Sequence, residues 1–109
     1  MQVEWLTAAA DDLREIARRV ALNFGYVTAE RTVASVTEET RRLADFSEIG
    51  RLCDEYDGSR RIYRALNTRH DRIVYTVTAE RVLIVAVFDS RRDPAELTSM
   101  LKKRETQNR

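Results

Sequence analysis

The residues best suited to chemistry gather late in the chain. VFDSRRDPAEL, residues 87–97, sets Arg91 and Arg92 between Asp89 and Asp93, just ahead of the sole proline, Pro94. A guanidinium pair at a strand exit is suited to bidentate contact with phosphate or carboxylate. NTRHDRIVY adds Arg69, His70 and Arg72, with His70 in a polar break between strands as a candidate acid or base. RIYRAL adds Arg61 and Tyr63. Cys53, the one cysteine, makes neither an internal disulfide nor a metal cluster, so neither metal nor cofactor is expected, and the thiol reads as a small, semi-buried residue. The competing reading of the arginines is structural. Arg60 and Arg61 would pair with Asp57 or Asp89, and Arg91 and Arg92 with Asp93 or Glu96, each exposed pair contributing ~0–1 kcal/mol.

The elements that must position these residues follow from periodicity. MQVEWL alternates as a short strand. Thr7 is a candidate N-cap, and Leu13, Ile16, Ala17, Val20, Ala21 and Phe24 form one helical stripe that Gly25 ends as a C′ residue. After a link from Tyr26 to Thr28, a second helix carries Ala29, Val33, Val36, Thr40 and Leu43 on one stripe. Glu38, Glu39, Arg41 and Arg42 form its solvated face. The two make an antiparallel helical hairpin. Arg61–Leu66, Asp71–Thr78 and Arg81–Phe88 read as strands rich in Val, Ile and Tyr.

If Ala79 and Glu80 form a two-residue turn, Thr78 faces Arg81 and Arg72 faces Val87. Ile73, Tyr75, Val77, Ile84, Ala86 and Phe88 would then carry the helical hairpin, with Arg72, Val74 and Thr76 on the opposite face. This register brings Arg72 beside the strand exit, so Arg72, Arg91 and Arg92 share one corner of the sheet. Pro94 starts a terminal helix with Leu97, Met100 and Leu101 as its apolar stripe, and residues from about 104 to 109 are expected to fray as a basic tail.

Composition narrows the function classes. The 109 residues suit a single domain, 1–109, and hydrophobic residues at 43% with charged residues at 34% indicate a folded soluble chain rather than a disordered one. VLIVAVF at 82–88 is far shorter than the ~20 residues of a membrane span, and MQVEWLTAAADD resembles no leader peptide, so no membrane partner and a cytoplasmic setting are expected. Net charge is +1, which argues against a general nucleic-acid-binding module. The charge is unevenly spread. Residues 1–50 hold six arginines against nine carboxylates, whereas residues 51–109 hold thirteen basic groups against nine, and only Lys102 and Lys103 are lysine.

AAADDLREI, IGRLCDEY at 49–56, RIVYTV and VFDSRRDPAEL, in that order, resemble the RelE/ParE superfamily of type II toxin–antitoxin toxins, closer to the ParE branch. The resemblance implies an α+β fold in the order β-α-α-β-β-β-α, with a curved, mainly antiparallel sheet and a helical hairpin packed on one face. It also implies a cognate antitoxin that wraps the toxin, giving a hetero-oligomer. RelE-like members are ribosome-dependent mRNA endoribonucleases. Carried across, RIVY supplies Arg72 and SRRDP supplies Arg92, but the lysine positions fall near Tyr63 and Ala65 and the terminal tyrosine position near Thr98. A nuclease would have to rely on Arg72, Arg92, His70 and Tyr63 as its catalytic group. ParE-like members inhibit DNA gyrase by binding it and are not enzymes. That reading is preferred, with Arg72, Arg91, Arg92 and Arg61 as target-binding residues. The ribosome and mRNA remain the alternative target.

Overall fold

The computed structural model describes residues 1–54, 56 and 61–107. The elements run β1 (Gln2–Trp5), α1 (Thr7–Phe24), α2 (Tyr26–Arg42), β2 (Arg51–Leu52), β3 (Tyr63–Asn67), β4 (Asp71–Val77), β5 (Arg81–Asp89) and α3 (Pro94–Gln107). The five strands form one mixed sheet in the order β1-β5-β4-β3-β2. β1 pairs parallel to β5 and the other pairs are antiparallel. The α+β architecture is the expected one, with the two-residue edge strand β2 as an addition that RLCDEY did not announce.

The helical hairpin is tighter than periodicity suggested. Leu6 is the N-cap residue of α1 and makes no side-chain cap bond, so Thr7 is inside the helix rather than capping it. Gly25 alone joins the helices, and no link spans Tyr26 to Thr28. Its φ of 92° lies where a side chain would be strained. Its N–H donates to the carbonyl of Ala21 at 3.0 Å, and its own carbonyl accepts from Ala29 at 3.2 Å. The apolar stripe of α1 reaches the core through Ile16, Leu13 and Val20, but Phe24 overhangs the tip and is exposed with Leu22, Tyr26 and Val27.

The turn at Ala79 and Glu80 and the first part of the β4–β5 register are as expected: Val77 faces Val82, Thr76 faces Leu83 and Tyr75 faces Ile84. The ladder then slips. Val74 faces Ala86, Ile73 faces Val87, and Arg72 faces Phe88 rather than Val87. One extra residue on β5, a β-bulge, reverses the side-chain alternation beyond it. Ala86 and Phe88 therefore leave the hairpin face and pack with Val85, Val74, Leu97 and Leu101, while Val87 joins Ile73, Tyr75 and Ile84 under the helical hairpin. The sheet is thus covered on both faces, by α1 and α2 on one and by α3 on the other.

The bulge lies where β1 has already turned into α1, so the edge of β5 has no strand beside it there. Side chains fill that role. Asp12 Oδ2 of α1 accepts the Val87 N–H at 3.0 Å, and Arg104 Nη1 of α3 donates to the Val85 carbonyl at 2.9 Å. The two side chains also join each other, at 2.6 Å through Nη1 and 2.8 Å through Nη2. This pair ties together the helices on opposite faces of the sheet. Arg104 was expected to begin a frayed tail; the structure instead makes it a partly buried anchor, because the bulge leaves a carbonyl that needs a donor.

Candidate functional site

The corner where β4 begins and β5 ends is built by two antiparallel neighbours and one turn. In the β3–β4 turn, the Thr68 N–H donates to the Asp71 carbonyl at 2.8 Å and the Asp71 N–H donates to Thr68 Oγ1 at 3.1 Å. This places Arg69 and His70 at an exposed tip. The carbonyl of His70 accepts the Ser90 N–H at 2.9 Å, which fastens the tip to the chain leaving β5. His70 and Arg72 are therefore brought beside the SRRDP segment from which they are separated in sequence.

The arginines do not form one cluster. Arg72 stands opposite Phe88 in the ladder, and the Arg92 guanidinium stacks over the Phe88 ring with Cζ 4.8 Å from its centroid. Arg92 Nε also donates to Glu96 at 3.1 Å, one turn into α3, and Arg72 Nε donates to Asn67 at 3.3 Å. Arg72 and Arg92 thus flank one buried aromatic on the α3 face. Arg91 turns to the other face, where Nε and Nη2 grip the Asp89 carboxylate at 3.1 and 2.9 Å, beside α1. The chain leaves β5 in a tight turn, in which the Arg92 N–H donates to the Asp89 carbonyl at 3.0 Å, and the RR pair is divided between the two faces of the sheet. The anticipated Arg92–Glu96 pair is present, whereas Arg91 takes Asp89 in place of Asp93 or Glu96. The suggested pairing of Arg60 with Asp57 lies outside the described residues.

Arg61 precedes β3 at the end distant from the corner, since Tyr63 faces Thr76 there while Asn67 faces Arg72 at the other end. Tyr63 is buried, 4% exposed, with its ring 5.8 Å from that of Tyr56. Burial, reinforced by the Glu105 carboxylate, pushes its hydroxyl far above the ordinary phenol range. A phenol so placed is poorly suited to exchanging protons with a substrate. Of the four residues proposed for a nuclease, Arg72, Arg92 and His70 gather at the corner and Tyr63 does not.

One pairing was not legible in the sequence. Asp71 and Asp89 face each other across β4 and β5, both buried. Burial first, and Asp89 second, raise the Asp71 carboxyl above its usual value; the bond from Arg91, against the opposing effect of burial, holds Asp89 below its own. Only the register sets the two aspartates together. Cys53 lies beside Arg72 in a small pocket of about 80 Å³. Burial pushes its thiol up, opposed by Arg72, so this is not an activated nucleophile.

The second surface is a groove of about 700 Å³ along the outer side of the helical hairpin. Ala17, Ala21, Ala29, Val33 and Ala34 give it an apolar floor, and Arg14, Arg18, Glu30, Glu38 and Arg41 line its rims. Four of these rim charges sit in pairs one helical turn apart, Arg14 with Asp11, Arg18 with Glu15 and Arg41 with Glu38. Among the described residues, no helix is long and apolar enough to cross a membrane.

Comparison with known proteins adds a family to this geometry. The structure is similar to that of the chromosomal ParDE TA system from P. aeruginosa, with a TM-score of 0.69 at 19% identity, over 82% of this chain and 95% of that one. No curated protein matches the sequence. The family model described as "ParE toxin of type II toxin-antitoxin system, parDE" matches residues 3–94, which include both helices of the hairpin, the sheet but for the first residue of β1, and the SRRDP exit; the chain therefore belongs to the ParE toxin family of type II toxin–antitoxin systems.

Proposed function

We propose that this ParE-family toxin inhibits DNA gyrase by protein–protein binding, in the cytoplasm, and that a cognate antitoxin neutralises it. The observation that supports the target reading most directly is the Arg72–Phe88–Arg92 arrangement on the α3 face. One guanidinium stacked on a buried aromatic, with a second on the strand residue opposite that aromatic, makes a cationic surface of the kind that anchors protein interfaces. Of the two acid–base candidates for a nuclease built from this chain, Tyr63 is buried against α3, which leaves His70 alone at the corner. A gyrase inhibitor needs no proton donor. The hairpin groove suits the antitoxin, because a floor of small apolar side chains between two helices accepts the apolar face of a third.

Two assays on the purified protein test this. Supercoiling by gyrase should be lost, or a cleavage complex trapped, on adding the toxin, and Arg72→Ala with Arg92→Ala should reverse that effect while the far-UV spectrum and melting persist. In a translation reaction, codon-dependent cuts in mRNA with gyrase untouched would instead establish a ribosome-dependent nuclease and refute the proposal.

A further inference from the structure

Where α1 passes the end of β5, a small pocket of about 110 Å³ opens between them. Its polar lining is Arg19, Asn23 and Arg91, with Asp89 behind Arg91, and Ile16, Val20 and Phe24 form apolar walls. Arg19 is unusual in this molecule. Its Nε is the only buried side-chain nitrogen or oxygen among the described residues that has no hydrogen-bond partner. The carboxylate of Glu15 stands 4.0 Å from it but is already held by two bonds from Arg18, at 3.1 and 2.7 Å. The Arg19 side chain as a whole is 40% exposed, but this one N–H is shut off from solvent, and a buried N–H without an acceptor is costly and calls for an explanation.

Arg91 completes the site. Its Nε and Nη2 are fixed on Asp89, so the fork is held in place, and Nη1 takes no part in those bonds. Two guanidinium groups from different elements therefore border one pocket, one missing an acceptor and the other held still. An incoming group must supply acceptor oxygens, and the Asp89 and Asp71 carboxylates, both within electrostatic reach of Arg19 and Arg91, favour one negative charge over two. A carboxylate is planar and singly charged, and it matches the guanidinium fork. The walls of Ile16, Val20 and Phe24 suit a short aliphatic stem carrying it, not a sugar-phosphate.

We propose that this pocket is a receptor for a single glutamate or aspartate side chain of a protein partner, its carboxylate taken by Arg19 and Arg91 and its stem packed on Val20 and Phe24. Within the toxin–antitoxin reading on which its biological source rests, the partner is the antitoxin, and the pocket is a specific acidic contact separate from the apolar groove and from the Arg72–Arg92 face. It gives Arg91 a role different from that of its neighbour: Arg91 serves the α1 side of the sheet and Arg92 the α3 side.

The test uses the whole ¹⁵N-labelled chain and a capped pentapeptide, ALELA, titrated to millimolar concentration while the arginine Nε–H and backbone signals are followed by NMR. The Arg19 Nε–H signal, with the amides of Asn23 and Arg91, should shift saturably. ALQLA, without the charge, should leave them in place, and Arg19→Gln should weaken binding by about tenfold or more with the remaining spectrum unchanged. If Arg19→Gln does not fold, Arg19→Lys, which keeps the charge and loses the fork, serves the same comparison. Peptide shifts confined to other surfaces, no shift at all, or undiminished binding by the variant would overturn the proposal. An equal response to inorganic phosphate would also overturn it, by showing a general anion site. The titration reads the pocket whether or not an antitoxin neutralises the toxin, so the two readings fail separately.

Discussion

Replacing Arg104 by methionine should destabilise the protein far more than its place near the end of the chain suggests. Its guanidinium makes three bonds, two to Asp12 at 2.6 and 2.8 Å and one to the Val85 carbonyl at 2.9 Å. Both charged side chains are only 14% exposed. Methionine retains much of the packing of the stem, so the loss is chiefly electrostatic. It leaves the Asp12 carboxylate bonded to the Val87 N–H but without its cation, and the bulged carbonyl without its donor. Removing one partner of a buried pair costs about 3–5 kcal/mol, and the residual exposure here puts the expected loss near 3 kcal/mol. With a urea m-value of about 1.2 kcal/mol/M, the unfolding midpoint followed by circular dichroism should fall by about 2.5 M. Adding Asp12→Asn, whose side-chain oxygen still accepts the Val87 N–H, removes the stranded charge and should restore part of the loss, giving a coupling of about 1.5 kcal/mol or more. Arg14→Met is the control, since its pair with Asp11 is 74% and 64% exposed and should contribute little. A midpoint for Arg104→Met within about 0.4 M of that control would refute the reasoning and return the last helical turn to an ornament.

Gly50→Ala should lower stability by about 2 kcal/mol, or about 8 °C in a thermal melt, because the added Cβ would stand 2.6 Å from the Tyr75 hydroxyl and 2.9 Å from the Ala65 carbonyl. Tyr75→Phe in the same chain should relieve only part of this, since ring Cε1 at 2.8 Å and the backbone remain; an unchanged melt for Gly50→Ala would contradict the packing. Asp71→Asn should stabilise the protein at pH 7 and less so at pH 4. An acid whose pKa is raised by folding favours the native state below its unfolded pKa of about 4 and loses that contribution as pH rises through the folded value. Asp89, lowered by Arg91, acts oppositely: its contribution is present above the unfolded pKa and is lost as pH falls through the folded one. Urea midpoints at the two pH values check this, and a variant less stable than wild type at pH 7 would mean that Asp71 is held by its neighbouring cations more strongly than it is opposed by burial.

Much of the architecture was legible because it rests on local periodicity. The stripes on α1 and α2, the β4–β5 hairpin and its two-residue turn, and the start of α3 at Pro94 all follow from spacing of 3.6 or 2 and from turn chemistry. The errors have equally local causes. RVLIVAVF is apolar at nearly every position because both faces of β5 are buried, so nothing in its alternation could reveal a bulge. Phe24 satisfied the helical stripe yet overhangs the tip, since a stripe specifies direction and not whether anything lies opposite.

By itself, the sequence determined the types and order of the main elements, the antiparallel helical hairpin, the cationic bias of the C-terminal half, and the segments that carry the ParE resemblance. Only the tertiary structure decided which arginines act together. One extra residue on β5 reverses the faces of Ala86, Val87 and Phe88, sets Arg72 and Arg92 around one aromatic, and sends Arg91 to the opposite side. The bulge falls where β1 has already left the edge of β5, and Asp12 and Arg104, 92 residues apart in the chain, close that edge. Local preference acts over a few residues, whereas a bulge is selected by the fit of two packed faces and by backbone groups that must find partners. That choice is made only when the sheet and all three helices are in place.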